Sequence, residues 1–526
     1  MRIAVVGGGP GGLFFATLIR RAHPSSEVTV FERNRADDTF GFGVVFSDRT
    51  LAAIHEVDPV LREALDKHGR HWDEIEVWLK GERVRCGGNG MAAVARRTLL
   101  MLMQDRARES GADLRFSAEV SLDDFSGYDL VVAADGTGSK VREQLASTLD
   151  VRVEQATAKF IWFGTDYMFD GLTFIHERGP DGVFAVHGYP ISDTLSTFIV
   201  ETDEASWRRA GLDEFDVTQP PGPSDTISKR YLEELFAEQI GGRQLLTNNS
   251  RWSNFRTRRT RHWHTLVPMP VAFLGDAVHT AHFSVGAGTK MAMEDAIALA
   301  RAVAAQPGDL PAALAAYETA AQPSVRRIQD SARPSLAWWE HFGRYHDVLE
   351  PWQFAYHFLT RSITDARLCR RAPHFVEATH RAWREREGAG PLETPFELSG
   401  WTTSGRLVRI AHDSAGRPTA ARGETPLPLS THRIPGPWGA LLAAPDEESG
   451  LPRLHRQISE FAQLHASDRP VLVAIHGGTS LTRTLACEQA RMHDGLPALL
   501  IDPDADHDNA VTTVLSGRAD LVGVPS

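Results

Sequence analysis

The opening stretch, MRIAVVGGGPGG, restricts the fold of this chain more than any other. Ile3 to Val6 is a short apolar run of the kind that forms a buried parallel strand. It runs directly into Gly7-Gly8-Gly9-Pro10-Gly11-Gly12, in which Gly7, Gly9 and Gly12 match G-x-G-x-x-G. LFFATLIRRA then reads as a helix, and Glu27 to Phe31 as a second strand ending in Glu32. This order is that of a βαβ unit with a dinucleotide-type first turn. Gly7, Gly9, Gly11 and Gly12 let the backbone turn tightly and approach a pyrophosphate, whose charge the helix N-terminus stabilises. Glu32 can accept hydrogen bonds from a ribose. An acid there disfavours a 2′-phosphate and suits FAD or NAD.

Two later stretches carry similar signals. Tyr128 to Ala134 is an apolar strand leading into Asp135-Gly136 and a helix start, a second phosphate- or ribose-facing turn. PVAFLGD is a strand ending in Gly275-Asp276, where a carboxylate can meet the hydroxyls of a cofactor chain. The loop Ser284 to Thr289 follows. Its Gly286 and Gly288 allow close approach of a flat ligand, and the next helix presents free N–H groups.

Between these stretches the pattern changes. Residues 40 to 47, FGFGVVFS, read either as a loop against a ring system or as a plain buried strand. Gly87 to Gly90 lead into an expected helix, MAAVARRTLLMLMQDRARESG, with Arg96 and Arg97 in its first turns. From Val151 to Glu201 the segments FIWFGTDYMF, LTFIHE, GVFAVHGYP and STFIVE are aromatic and β-branched and read as antiparallel strands. A sheet with one face over a cofactor makes a substrate shelf, into which His187 and Tyr189 can point, although each reads more simply as an ordinary sheet residue. Residues 219 to 224 form a loop, and Asn254 to His264 a basic and aromatic cluster, a solvated face or a site for an anionic group. After Ala296 the spacing is helical, with Pro323 and Pro334 as breaks. Beyond residue 400 the order of VLVAIHGG, TLACEQARM, ALLID and TTVLSGRADLVGV suggests β–α–β–α–β.

The expected architecture is α/β. A Rossmann-like cofactor part spans 1–150, a β-sheet substrate part 151–250, and a return to the cofactor domain with a helical region 251–385. A small α/β tail spans 400–526. The net charge of −12, with both signs mixed along the chain, argues against a nucleic-acid partner and a polybasic membrane anchor. Cys86, Cys369 and Cys487 have no metal-type spacing, so no metal site is expected. A chain that starts at once with a strand, has few cysteines and has no long apolar run is expected to be cytoplasmic, without a signal peptide or membrane span.

Taken together, GxGxxG with Glu32, the Asp135-Gly136 stretch and Gly275-Asp276 with its loop resemble the single-component FAD-dependent aromatic hydroxylases, the class A flavoprotein monooxygenases. The wording TFGFGVVFSD, the Gly-x-Gly before ARRTLL, and GDAVHTAHFSVGAGTKMAMEDA are similar to the salicylyl-CoA 5-hydroxylase and 2-aminobenzoyl-CoA monooxygenase subfamily. The resemblance implies FAD and NADH as cofactors and O₂ as co-substrate. It implies that Arg96 approaches the pyrophosphate, that Val120 lies by the adenine, that Asp135 and Gly136 serve FAD and nicotinamide, that Asp276 meets the ribityl chain, and that Gly286, Gly288 and Thr289 lie against the isoalloxazine. The loop departs from the family where Phe283 replaces a frequent Pro and where Gly286-Ala287-Gly288-Thr289-Lys290 replaces Gly-Gln-Gly-x-Asn.

The implied reaction is ring hydroxylation of an aryl-CoA thioester through a flavin hydroperoxide, with salicylyl-CoA to gentisyl-CoA as the first choice. Another aryl-CoA, a free phenolic acid, or an FAD-binding protein without turnover are the alternatives. His279 and His282, in the loop beside the flavin, are the candidate bases. Arg256, Arg258, Arg259 and Arg261 are the candidates for the anionic CoA handle. The tail reads as a remnant or a rebuilt half of a longer barrel, without a second flavin site. A flavin halogenase would carry W-x-W-x-I-P, which this chain lacks.

Overall fold

A computed structural model describes residues 1–39, 41–216, 222–423 and 425–525. Phe40 of the Gly-rich stretch and residues 219–221 of the expected loop lie outside the described residues. The chain divides into two compact units: Met1–Glu76 with Asn89–Glu340, and Val77–Gly88 with His341–Ser526.

The first unit begins with β1 (Arg2–Val6), α1 (Pro10–Ala22) and β2 (Glu27–Phe31), as the opening motif predicts. β3 (Gly43–Ser47) and β4 (Met91–Ala95) pair antiparallel. α2 (Arg96–Glu109) follows, then β5 (Asp113–Arg115) and β6 (Leu130–Ala133). The expected helix over MAAVA is therefore a strand. Ala and Met favour helices locally, but pairing with Gly43–Ser47 overrides that weak preference.

Four strands, β7 (Val151–Thr165), β8 (Leu172–Gly179), β9 (Gly182–Pro190) and β10 (Ser196–Thr202), form the expected antiparallel sheet, with β11 (Ser253–Thr260) along β7. Then come β12 (His264–Thr265), β13 (Val271–Phe273), α3 (Gly288–Ala305) and α4 (Leu310–Val348). α4 runs through Pro323 and Pro334 rather than breaking there. Each proline removes one i→i−4 hydrogen bond, a penalty of about 3 kcal/mol. Buried Ala321, Val325, Ala332 and Ala337 hold the helix across both points.

Six strands pair in the order β12-β13-β6-β1-β2-β5, all parallel except β12. Register pairs Val6 with Ala133, and Ala133 with Phe273. The three glycine-marked turns thus emerge side by side at the carboxyl edge of one sheet, where open α/β sheets bind ligands. Ile3, Val5, Phe14, Phe15, Val131 and Phe273 belong to the core beneath that edge.

In the second unit, among the described residues, seven strands close a barrel. The strands β14 (Leu407–His412), β15 (Pro418–Ala421) and β16 (Leu427–Ser430) meander antiparallel. β17 (Gly439–Ala443), β18 (Leu472–His476), β19 (Ala498–Ile501) and β20 (Leu521–Pro525) are parallel, joined by α5 (Leu451–Gln463), α6 (Ser480–Glu488) and α7 (His507–Leu515). β20 pairs with β14 and removes the last open edge. The expected α/β repeat is present, and the three short strands before it complete a whole barrel rather than a half. Val408, Leu427, Leu429, Leu472, Leu499 and Leu521 fill it. Among the described residues, no helix is long and apolar enough to cross a membrane, and no group of His, Cys, Asp and Glu forms a metal site.

Candidate active site

The glycines of the opening turn divide by what a side chain would meet. A Cβ on Gly7, at φ +109°, would lie 2.3 Å from the Ala134 carbonyl oxygen. On Gly12 it would lie 2.2 Å from the Gly7 carbonyl oxygen, and on Gly11 2.5 Å from Leu274 Cδ1. These three permit the turn and the packing of α1. Gly9 differs, because a Cβ there meets nothing within 4 Å. The same holds for Gly136, Gly138, Gly286 and Gly288. All five border one cavity of about 950 Å³. They leave a slot along the ends of β1, β6 and β13, flanked by the N-termini of α1 and α3, whose first N–H groups have no intrahelical partner. Thr289 stands in the first turn of α3 and lines the slot.

Carboxylates and guanidiniums hold the turns together. Glu32 accepts from the Gly8 N–H and the Asn34 N–H, each at 2.8 Å. Ala118 N–H donates to the Glu32 carbonyl at 2.9 Å, which carries the chain on to half-buried Val120. Arg142 donates to the carbonyls of Thr137 and Ala277, each at 2.8 Å. Arg258 donates to those of Asp276 at 2.8 Å and Thr137 at 2.9 Å. Two cations thus staple the Asp-Gly turn to the Gly-Asp turn. Burial, then neighbouring Arg142, pushes the Arg258 guanidinium down to about 10. Sequence reasoning gave Arg142 no role, because its partners are backbone carbonyls that no residue pattern displays.

Asp276 lines the cavity, and burial raises its carboxyl, opposed by His279, Arg96 and Arg258. Burial also raises Asp135, whose Oδ1 has no hydrogen-bond partner among the described residues. Arg96, the first residue of α2, lines the slot with its Nε likewise unpartnered.

The rest of the cavity is one face of the antiparallel sheet. Register aligns Trp162 with Ile199, Ile199 with His187, and His187 with Phe174 across four strands. All four line the cavity, with Tyr189 and Phe160 on the same face and Phe283 of the glycine loop opposite. Burial pushes Tyr189 up to about 12.

The other expected residues separate. His279 is buried beside the turn, its Nε2 2.6 Å from Asp295 Oδ2. His282 is buried behind the loop, its Nδ1 2.7 Å from Ser284 Oγ. Neither is among the cavity-lining residues, whereas His187 is. Along β11, Arg256 and Arg258 face the cavity. Arg259 points to the opposite side, 2.9 Å from Asp330, and Arg261 is exposed near Asp150. Arg251, outside the expected set, also lines the cavity.

Residues 1–332 match the family described as FAD binding domain. Salicyloyl-CoA 5-hydroxylase of Streptomyces sp is 54% identical, over 99% of this chain and 99% of that protein. The 3-hydroxy-4-methyl-anthranilyl-(aryl-carrier protein) 5-monooxygenase of Streptosporangium sibiricum is 37% identical, over 66% of this chain and 91% of its own. Among solved structures, the tetrameric form of 2-methyl-3-hydroxypyridine-5-carboxylic acid oxygenase shares the fold at TM-score 0.53 and 20% identity, over 64% of this chain and 92% of that one.

Proposed function

The chain belongs to the FAD-dependent aromatic monooxygenases, and from that premise we propose that it hydroxylates the ring of an aromatic acyl-CoA thioester, salicyloyl-CoA before others. The observation that carries the reading is a cavity in which a glycine-lined slot opens onto an aromatic sheet face. A relative alike over its whole length is named for this substrate and supports the choice.

The slot fits FAD. Five glycines leave it open, two helix N-termini flank it, and Arg96 Nε and Asp135 Oδ1 are polar atoms beside it without a partner among the described residues. Gly9 and the start of α1 would take the pyrophosphate with Arg96, Glu32 and Val120 the ribose and adenine end, and Asp276 the ribityl hydroxyls. Gly286, Gly288 and Thr289 would lie against the ring. When bound, FAD would let electrons from NADH activate O₂ so that one of its oxygen atoms can be transferred to the ring.

The protein's own work is placement. Phe160, Trp162, Phe174 and Phe283 bury the aromatic ring and exclude water, which strengthens every polar contact inside. The ring must lie with the carbon para to its hydroxyl toward the flavin loop, since donation from that hydroxyl makes this carbon nucleophilic. Arg256 and Arg251 offer charge to the anionic handle.

The test is NADH consumption in air by the purified holoenzyme, with salicyloyl-CoA and with free salicylate, each followed by product mass. Thioester-dependent turnover with gain of one oxygen is expected. Equal turnover of the free acid would replace the reading with a phenolic acid hydroxylase.

A further inference from the structure

Ring hydroxylation of a phenol needs a place for the phenolic proton, and the sheet wall carries groups arranged to take it. On β9 and β10 the register pairs His187 with Ile199 and Ala185 with Glu201. His187 and Glu201 are therefore diagonal neighbours on one face. His187 Nε2 lies 2.7 Å from Glu201 Oε1. The other carboxylate oxygen lies 3.6 Å from His282 Nε2. His282 Nδ1 reaches Ser284 Oγ at 2.7 Å, and Ser284 Oγ reaches Ser335 Oγ at 2.8 Å. Exposure is 4% for His187, 1% for Glu201 and 2% for His282.

A carboxylate buried this deeply persists only when paired. Here it stands between two imidazoles, one on the cavity wall and one behind the flavin loop. The His187 ring is fixed by Trp339, Phe174 and Phe283, with centroids 4.4, 5.0 and 5.4 Å away. The His279–Asp295 pair, by contrast, sits outside the cavity lining.

We propose that His187 is the catalytic base that takes the phenolic proton, with Glu201 and His282 as positioning residues that hold and share the resulting charge. The assignment rests on the function proposed above. The phenolic O–H bond breaks, its proton bonds to the imidazole, and the electron pair stays on oxygen, from which it enters the ring. Glu201 neutralises the imidazolium, and His282 on the carboxylate's second oxygen limits how far Glu201 can move. Once the ring carbon has bonded one oxygen atom of O₂ and given up its own proton to the other, which leaves as water, the phenol recovers a proton from His187, so the base ends each turnover as it began. Among the described residues, the titratable groups around this imidazole include Glu201 on β10, His282 on the far side of that carboxylate, His176 of β8 across Trp339, and Tyr189 further along β9.

The test compares wild-type holoenzyme with H187Q, E201Q and H282Q on salicyloyl-CoA. It reads product formed per NADH consumed and the pH profile of kcat, with FAD content as the check on folding. H187Q is expected to lower kcat about a hundredfold or more, to waste NADH, and to lose the acidic limb of the profile. E201Q is expected to move that limb to lower pH, because an imidazolium without its carboxylate is less stable. H282Q is expected to fall between wild type and H187Q. An FAD-loaded H187Q with wild-type kcat, coupling and acidic limb would overturn the assignment and leave the hydroxylase reading standing. Wild type that forms no product from the thioester would overturn both. If H187Q does not load FAD, E201Q decides: an unmoved acidic limb overturns the proposal.

Discussion

His279 and Asp295 share one hydrogen-bonded corner. Asp295 Oδ2 lies 2.6 Å from His279 Nε2 and also accepts the Gly275 N–H at 2.8 Å. A carboxylate on α3 thereby fixes the backbone turn that presents Asp276. Asp295→Asn keeps the shape and removes an acceptor. It is expected to weaken FAD binding about tenfold and to destabilise the protein by about 1–3 kcal/mol, the cost of leaving a buried donor unsatisfied. Flavin titration and thermal unfolding measure both. An unchanged Kd would mean that other contacts set the turn.

Gly9 and Gly12 should fail differently when replaced by alanine. At Gly9 φ is −78° and a Cβ meets no protein atom, so Gly9→Ala is expected to fold with an unaltered apoprotein melting temperature. Its methyl would stand in the slot and lower FAD affinity tenfold or more. Gly12→Ala drives a Cβ to 2.2 Å from the Gly7 carbonyl and is expected to lose stability itself. Equal melting losses for both would contradict an open slot at Gly9.

Arg256 and Arg259 lie three residues apart on β11 and face opposite sides. Arg256→Ala is expected to raise KM for the CoA thioester about tenfold with kcat little changed, the signature of lost uniform binding. Arg259→Ala, which breaks a surface pair with Asp330, should stay within about twofold. Steady-state kinetics on the two variants separate the cases, and a reversed order would place the CoA handle elsewhere.

Acid should weaken the barrel unit through His357. Burial, then Arg518, depresses this imidazole to about 4. A histidine depressed in the folded state lets the unfolded chain bind the proton first. Stability should therefore fall as pH drops below about 6.5 and continue falling to about 4. Its partner Glu488 is also held below its usual range, by His357 and Arg518 against the opposing effect of burial. That contribution is present above the unfolded carboxyl value and is lost only at lower pH. Melting temperature against pH for wild type and His357→Gln would show the upper window vanish in the variant.

What the chain disclosed in advance follows from the kind of constraint involved. Gly7, Gly12 and the acid at position 32 were legible because a tight strand-to-helix turn admits few residues. Residues 151–201 announced an antiparallel sheet by composition. The pairing of His187 with Glu201 was hidden, because it depends on register between two strands and not on spacing along either one. The barrel was half legible. Its α/β repeat has clear apolar strands, but Pro418–Ala421 and Leu427–Ser430 have four residues each and both contain a proline, which speaks against a strand, so their closure of the cylinder could not be read. Met91–Ala95 misled for the opposite reason, since its small residues suit a helix better than the strand that its neighbour imposes.

The shared hold of Arg142 and Arg258 on the Thr137 carbonyl bears on the order in which the molecule matures. The wall of the slot is finished by residues far along the chain: Arg258, the turn at Gly275, and the start of α3. The opening βαβ segment can acquire its own shape early, but it lacks most of the surface that would retain the flavin. Cofactor uptake therefore belongs to the end of folding, and a fragment ending near residue 150 should emerge colourless.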